Sequence, residues 1–386
     1  MKKQVSFLAL ALCFAALGIA SCTKKESASS PGSGDTIKLG HYAALTGEIA
    51  NFGQSTKKGV DLAMEQFNAK GGFNGKKVEV ITYDDQGKPE EAAATITKLI
   101  TQDNVLAVIG EVASSLSIVA ADVAMRFKTP MISPSSTNPA VTKKGEYIFR
   151  ICFIDPFQGE VMAKFATEKL KAKTAAVIRD VKQDYSVGLA DFFVKAFVAQ
   201  GGKILLDTSY QSKDTDFKAQ LTEIKSKKPD VIFVPGYYND VALVIKQGRQ
   251  LGLNQPFLGG DGWESPDLAK VAGEKAVENT YFSNHYAPDT KDSSAQDFIA
   301  AFKARYNETP DAMAALGFDA FNVMIDSMKR AKSLSKDDLR AAIAATSGFA
   351  GVTGKITLNE ERNAVKSAVV LKYEKGMPKY FATVNP

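Results

Sequence analysis

The sequence predicts an α/β fold of two lobes, each built on a parallel sheet covered by helices. Three observations carry this. From residue 37 onward, short apolar runs alternate with amphipathic stretches, the pattern of parallel strands joined by helical crossovers. The chain has 386 residues, more than the roughly 250–300 at which a single hydrophobic core stops growing. Two segments, "VLAVIGEVASSLSIVAADVAMRFKTPMISPSST" and "DVIFVPGYYNDVALVIKQGRQLGLNQPFLGGDG", also repeat one plan: buried strand, glycine, polar or aromatic loop, helix, second strand, polar turn. Each lobe is expected to own one such unit.

Taken in order, residues 55–69, "STKKGVDLAMEQFNA", set Val60, Ala63, Met64 and Phe67 on one helical face, and Gly71-Gly72 supplies a left-handed stop. "KKVEVITYDD" then reads as a strand, "PEEAAATITKLITQ" as a helix with Pro89 near its first turn, and "VLAVIG" as a buried strand. The trade continues through strands "TAAVIRD", "KILLDTSY", "DVIFVPG" and "PFLGG", separated by helices "VGLADFFVKAFVAQGG", "DFKAQLTEIKS" and "DVALVIKQGRQLG". Toward the C-terminus "DAFNVMIDSMKRAKS" and "KDDLRAAIAAT" read as helices, and "GKITL" and "SAVVLKYEKG" as strands, the last at a sheet edge.

The N-terminus departs from this pattern. Lys2 and Lys3 precede an apolar stretch, residues 5–17, and small residues follow; this is the order of a secretory signal, too short for a spanning helix. Ile19-Ala20-Ser21-Cys22 resembles a bacterial lipoprotein box, with Ile where Leu is more usual. On that likeness the signal occupies 1–21 and Cys22 carries lipid, while an uncleaved anchor or a plain signal cut nearby remains the alternative. Residues 22–35 are polar and rich in Ser and Gly, and read as a flexible tether. The expected arrangement is a soluble body held at a membrane through its N-terminal lipid only.

Composition narrows the class. Hydrophobic residues make up 45% and charged residues 24%, which are globular values. Lys and Arg total 48 against 43 acids, but they are scattered singly or in pairs such as Lys57-Lys58, Lys76-Lys77 and Lys227-Lys228. Such pairs make a solvated face rather than a nucleic-acid footprint, so no nucleic acid is expected. Cys13 lies in the signal and Cys22 at the lipid site, which leaves Cys152 alone in the body with no internal disulfide to form. His41 and His285 are the only histidines, and neither stands at ligand spacing from another His or Cys. No metal and no cofactor are expected, and both histidines read as bland.

In open parallel sheets, ligands bind beyond the carboxyl ends of the strands, where loops meet helix N-termini. The first repeated unit places Ser114, Ser115, Ser135, Ser136 and Thr137 there, all hydroxyls; the second places Tyr237, Tyr238 and Asp261, the last among three glycines in "PFLGGDGWES". Hydroxyls and helix N-terminal amides suit an anion, and a carboxylate beside aromatics suits a cation. A ligand with one negative and one positive end matches both. For any one residue the plainer reading stays open: Ser114 and Ser115 capping a helix, Asp261 shaping a turn. Four residues in corresponding places weigh against it.

From residue 37 to the last strand the chain resembles the leucine/isoleucine/valine-binding proteins, the extracellular solute receptors of ABC transporters. The likeness is carried by the order and spacing of "GHYAALTGEIANFGQSTKKGVDLAMEQFNAKGG", "GKKVEVITYDD", "VIGEVASS", "ISPSSTNP", "FRICFIDPFQGEVMA", "QDYSVGL", "VPGYYND" and "LGGDGW". It implies a type I two-lobed fold, two Rossmann-like lobes joined by three hinge crossovers, with lobe I at 36–154 and 285–360 and lobe II at 155–284 and 361–386. It implies further that Ser114 and Thr137 take the ligand carboxylate with their hydroxyls, and that the Ser135 carbonyl takes part of the ammonium. Asp261 stands where the family places an acid, often Glu, that pairs with that ammonium. The flanking glycines would let backbone and ligand approach closely. Tyr185 and Tyr237 match aromatics that cover the ligand from the second lobe, Phe52 the aromatic in the loop after the first strand, and Met313 a residue of the side-chain pocket. Arg150, Asp155 and Gln158 match a hinge-side pattern read as structural.

There are departures. Related branched-chain receptors carry a disulfide whose positions here are Gly87 and Ala113, so that staple is missing. The shorter acid at Asp261 withdraws the charge by one methylene. Phe52 and Met313 favour an aliphatic or aromatic amino acid over a polar one. The resemblance thus implies a monomeric lipoprotein outside the cytoplasm that captures a small, apolar and most simply branched-chain amino acid by hinge closure. It then delivers it to an ABC permease with its ATPase. The alternatives are a sensing subunit that reports to a chemoreceptor or kinase, and a receptor for an amide, urea-like or aromatic acid ligand. An enzyme is not expected: the chain shows no nucleophile elbow, no Gly-rich phosphate loop and no metal cluster, and the acidic pair Asp84-Asp85 reads as a loop or capping element.

Overall fold

The computed structural model describes residues 36–290 and 292–385, so the expected signal, lipid site Cys22 and tether lie outside the described residues. The first sheet takes β1 (Ile37–Ala43), β2 (Val78–Asp84), β3 (Val108–Ile109), β4 (Met131–Ser133) and β5 (Ile148–Arg150) in the order β2-β1-β3-β4-β5. All its pairings are parallel, with Gly40 beside Val108 and Val108 beside Met131. Strands β3, β4 and β5 are short and buried along their whole length, as the apolar runs there predict. The order reverses between β1 and β3, and the loops after them open a crevice at that point.

The second sheet repeats the arrangement with β6 (Thr174–Asp180), β7 (Lys203–Tyr210), β8 (Val231–Phe233), β9 (Phe257–Gly259) and β10 (Thr280–Asn284), ordered β7-β6-β8-β9-β10 and parallel throughout. A small antiparallel sheet follows: β11 (Phe349–Gly351), β12 (Gly354–Leu358) and β13 (Ala364–Val365). Then β14 (Ala368–Glu374) returns to the second sheet antiparallel to β10, and β15 (Met377–Val384) pairs antiparallel with β14. The second sheet is therefore mixed, and its edge is β15 rather than the "SAVVLKYEKG" strand expected there, because the hairpin after Glu374 adds one more strand.

Helices α1 (Ala50–Ala69), α2 (Pro89–Thr101), α3 (Ser114–Arg126) and α4 (Ala140–Lys143) cover the first sheet. There they are joined by α10 (Ser293–Tyr306), α11 (Ala312–Arg330) and α12 (Lys336–Ala344) from later in the chain. The second sheet is covered by α5 (Asp155–Lys164), α6 (Asp184–Ala199), α7 (Lys218–Lys227), α8 (Tyr238–Gln250) and α9 (Pro266–Ala272). The chain passes between lobes three times: after β5, after β10, and between β13 and β14. Val60 and Ala63 are buried on α1 as their spacing predicts, and Gly71 and Gly72 take the left-handed φ values of 102° and 67° that end the helix. The helix itself starts at Ala50, ahead of the expected 55.

Helices α1 and α11 approach unusually closely. A Cβ on Gly59 would stand 1.9 Å from the Ala314 carbonyl oxygen, and one on Gly317 would stand 2.3 Å from that of Thr56. Only glycine fits at this crossing. No helix among the described residues is long and apolar enough to cross a membrane.

Candidate functional site

Loops from both lobes enclose a cavity of about 10 Å³, lined by Phe52, Val112, Ser135, Thr137, Tyr185, Tyr237, Asp261, Gly262 and Met313. These residues follow β1, β3 and β4 in the first lobe and β6, β8 and β9 in the second, with Met313 at the start of α11. With the lobes packed this tightly the space left is that of about one water, so a ligand must enter before the lobes close fully.

From the first lobe, the hydroxyls of Ser135 and Thr137 are buried without a hydrogen-bond partner, and so is the Tyr237 hydroxyl from the second. Three buried donors in one small cavity are costly unless something accepts from them. Ser114 begins α3, whose N-cap residue Ala113 offers no side-chain oxygen, so the first-turn amides depend on other partners. Burial, then nearby carboxylates, pushes Tyr185 and Tyr237 well above the usual phenol range. Both therefore remain protonated donors.

Asp261 supplies the opposite polarity. It is 3% exposed; its Oδ1 accepts from the Tyr185 hydroxyl at 2.9 Å, and its Oδ2 lies 3.0 Å from His285 Nε2. Burial lowers the His285 pKa against the opposing pull of Asp261, which keeps the ring neutral. A neutral ring beside a carboxylate carries its proton on Nε2 and donates it. His285 lies on the passage after β10 and stacks on Phe153 with centroids 3.7 Å apart. The Asp261 amide donates to Gln158 Oε1 at 2.8 Å, and that oxygen also accepts from Ser283. Burial pushes Asp155, beside this group, up to about 8.

Apolar walls complete the cavity. Tyr185 and Tyr237 stack with centroids 5.2 Å apart and planes 6° from parallel. Phe52, from the first lobe, meets Tyr237 edge-on at 5.7 Å and Tyr238 at 5.0 Å. Val112 and Met313 close the remaining sides.

The lobes are shut over this space. Ser115 Oγ bridges to Asp184 Oδ2 at 2.9 Å and accepts from the Asp184 amide, while Asn138 donates to the Asp184 carbonyl at 2.7 Å. Asn51 donates to Ser265 Oγ and Asp267 Oδ2 at 2.8 and 2.7 Å, and Tyr238 donates to the Glu48 carbonyl at 2.8 Å.

Of the residues singled out in the sequence, Phe52, Ser135, Thr137, Tyr185, Tyr237 and Asp261 come together around the cavity. The Ser114 hydroxyl accepts from the Asn138 amide at 3.2 Å, behind the lining residues. Ser115 and Ser136 are not among the lining residues: Ser115 ties the lobes together, and the Ser136 hydroxyl is held by Ser117 and the carbonyls of Glu111 and Val112. His285, read as bland, belongs to the site; standing 24 positions from Asp261, it left no local pattern to find. Gly259, Gly260 and Gly262 also have another reason than ligand approach. A Cβ on Gly259 would strike the Trp263 ring at 2.0 Å, one on Gly260 the Tyr185 hydroxyl at 2.5 Å, and one on Gly262 the Gly236 carbonyl at 2.7 Å. They make room for protein around Asp261. Asp84 holds the loop after β1 through the amides of Leu45, Thr46 and Gln86.

Two shut α/β lobes around a small polar cavity define a solute receptor. Residues 36–376 match the Periplasmic binding protein family, and the chain belongs to it. It is 32% identical over 350 residues to a leucine-, isoleucine-, valine-, threonine- and alanine-binding protein of Pseudomonas aeruginosa, covering 90% of this chain and 91% of that one. Its fold matches a leucine binding protein of Thermotoga maritima with a TM-score of 0.87 at 39% identity, over 91% of this chain and 99% of that one. It also matches a branched-chain amino acid transporter substrate binding protein of Streptococcus pneumoniae in complex with isoleucine, again with a TM-score of 0.87, at 34% identity, over 91% and 100% of the two chains. The type I fold expected from the sequence is the one observed. Family membership makes the chain a solute-binding protein that acts outside the cytoplasm.

Proposed function

We propose that this protein captures a small apolar amino acid, most simply leucine, isoleucine or valine, between its lobes and hands it to an ABC permease. One observation carries the reading: a single buried cavity holds unpartnered hydroxyls of Ser135, Thr137 and Tyr237, the carboxylate of Asp261, and apolar walls from Phe52, Val112 and Met313. The hydroxyls and the α3 N-terminus take the ligand carboxylate, Asp261 takes the ammonium, and the apolar walls take the side chain. A ligand without an ammonium would leave Asp261 in a shut cavity with only Tyr185 and His285. Relatives named for binding leucine, isoleucine and valine point the same way.

Capture proceeds by closure. The ligand docks on the first lobe, and the second swings over with Asp261 and the tyrosines. Because each lobe holds half the site, the ligand prefers the closed state, and that preference alone shifts the population. The body acts as a monomer, its two lobes joined by the passages after β5, after β10 and between β13 and β14, and tethered through lipid on Cys22. Thermal-shift screening and calorimetry against free amino acids, short amides and aromatic acids test the reading. Stabilisation by branched-chain amino acids is expected; stabilisation by amides or aromatic acids alone would overturn it.

A further inference from the structure

The segment after β9 presents a second acid. Glu264, from the second lobe, is 4% exposed and reaches into the first: its Oε2 accepts from the amide of Ala312, the first residue of α11, at 2.8 Å. The preceding residue, Asp311, caps the same helix, with Oδ1 accepting from the Ala314 amide at 2.9 Å and from the Ser55 hydroxyl. A buried acid and a half-buried one, from opposite lobes, therefore share one helix N-terminus, and neither forms a salt bridge among the described residues.

A helix N-terminus carries about half a positive charge, enough to favour one carboxylate and not two. Two carboxylates gathered at one such end, one of them buried, disfavour each other's charge, so the pair tends to hold one proton. The other groups facing the pair do not change this. Lys58 on α1 already pairs with Glu308, Lys270 on α9 with Asp267, and Tyr286, Tyr373, Asp261 and Asp289 are neutral or negative.

We infer that Glu264 and Asp311 form a carboxyl–carboxylate latch across the cleft, so that closure on ligand takes up a proton and capture is strengthened by mild acid. The inference rests on ligand-driven closure. With the lobes apart, Glu264 leaves α11, both acids are solvated, and both ionise in the ordinary carboxylate range. With the lobes shut, burial and then the Asp311 charge push Glu264 upward, and burial pushes Asp311 upward against the Ser55 hydroxyl and Lys58. Between the open and closed values the closed form holds one more proton. Affinity therefore falls as pH rises through that window, by at most about tenfold per unit, and levels off above it.

Glu264→Gln separates this from a structural role. Gln keeps an oxygen for the Ala312 amide and carries no charge, so it mimics the protonated latch. Calorimetry with L-leucine at about pH 7, in two buffers of different ionisation enthalpy, should show about one proton taken up per ligand in the native protein and well under half in the variant. At about pH 8 the variant should bind leucine at least as tightly as the native protein, and with a flatter pH profile. Equal uptake in both, or weaker binding by the variant at every pH, overturns the latch. X-ray scattering of the ligand-free protein provides a check that needs no ligand. The radius of gyration should fall with acid in the native protein and less in Glu264→Gln and Asp311→Asn; coincident profiles overturn the latch. Failure of every amino acid to bind overturns the proposed function instead.

Discussion

Replacing Asp261 by Asn changes the charge of the cavity with almost no change of shape. The native carboxylate accepts from Tyr185 at 2.9 Å and pairs with His285 at 3.0 Å, and each oxygen keeps lone pairs for the ligand ammonium. Asn accepts through one oxygen only, so its NH₂ faces either the His285 N–H or the ammonium, donor against donor. Removing one partner of a buried ion pair costs about 3–5 kcal/mol. Here Tyr185 and His285 already spread the carboxylate charge, which places the loss near the lower figure, about 3 kcal/mol or roughly a hundredfold in affinity. Calorimetry with leucine, isoleucine and valine measures it, and the melting temperature without ligand checks that the variant is folded. A folded Asp261→Asn protein binding within about threefold of the native one would refute the assignment of the ammonium to this acid.

Thr137→Val removes one buried donor at constant volume and should weaken amino-acid binding by about ten- to a hundredfold, the worth of a hydrogen bond to a charged group; unchanged calorimetric affinity would clear Thr137 of a role. Phe52→Ala opens the wall against Tyr237 and Tyr238, so competition binding should show affinity moving from valine toward phenylalanine, whereas a uniform loss across side chains would count against it. Asp155, pushed up to about 8 by burial, favours the folded state below the ordinary carboxylate range and loses that advantage as pH rises toward about 8. Melting curves of the ligand-free protein should therefore decline less steeply with pH in Asp155→Asn, and parallel declines would show that Asp155 does not titrate as argued.

Much of this was legible because the signals are local. "TAAVIRD", "KILLDTSY" and "GKITL" coincide with β6, β7 and β12: β6, central in a parallel sheet, reads as a buried apolar run, while the edge strand β7 and the antiparallel β12 are marked off by glycines at their starts, Gly201-Gly202 and Gly354. The repeated units became β3-α3-β4 and β8-α8-β9, and their strand ends deliver Ser135, Thr137, Tyr237 and Asp261 to one cavity. What stayed hidden depends on distant parts of the chain. Ser115 and Ser136 look like Ser135 in sequence, and only the positions of Asp184 and of the Glu111 carbonyl decide that one ties the lobes and the other braces a loop. His285 gained its role from a carboxylate on another strand end, and Glu264 from a helix in the opposite lobe. The glycines around Asp261 were visible, but their cause, the bulk of Trp263 and Tyr185, required the packing.

The glycine contact between α1 and α11 has a reach beyond the first lobe's core. Phe52 stands near the start of α1 and Met313 near the start of α11, so the width of the slot for the cargo's side chain is gauged by how near the two helices lie. Gly59, about two turns down α1 from Phe52, touches no cargo, yet a single methyl there would wedge the helices apart against the Ala314 carbonyl. Appetite for bulkier amino acids can thus be retuned from outside the binding chamber, and a survey of variants confined to the chamber walls would overlook the residue that spaces them.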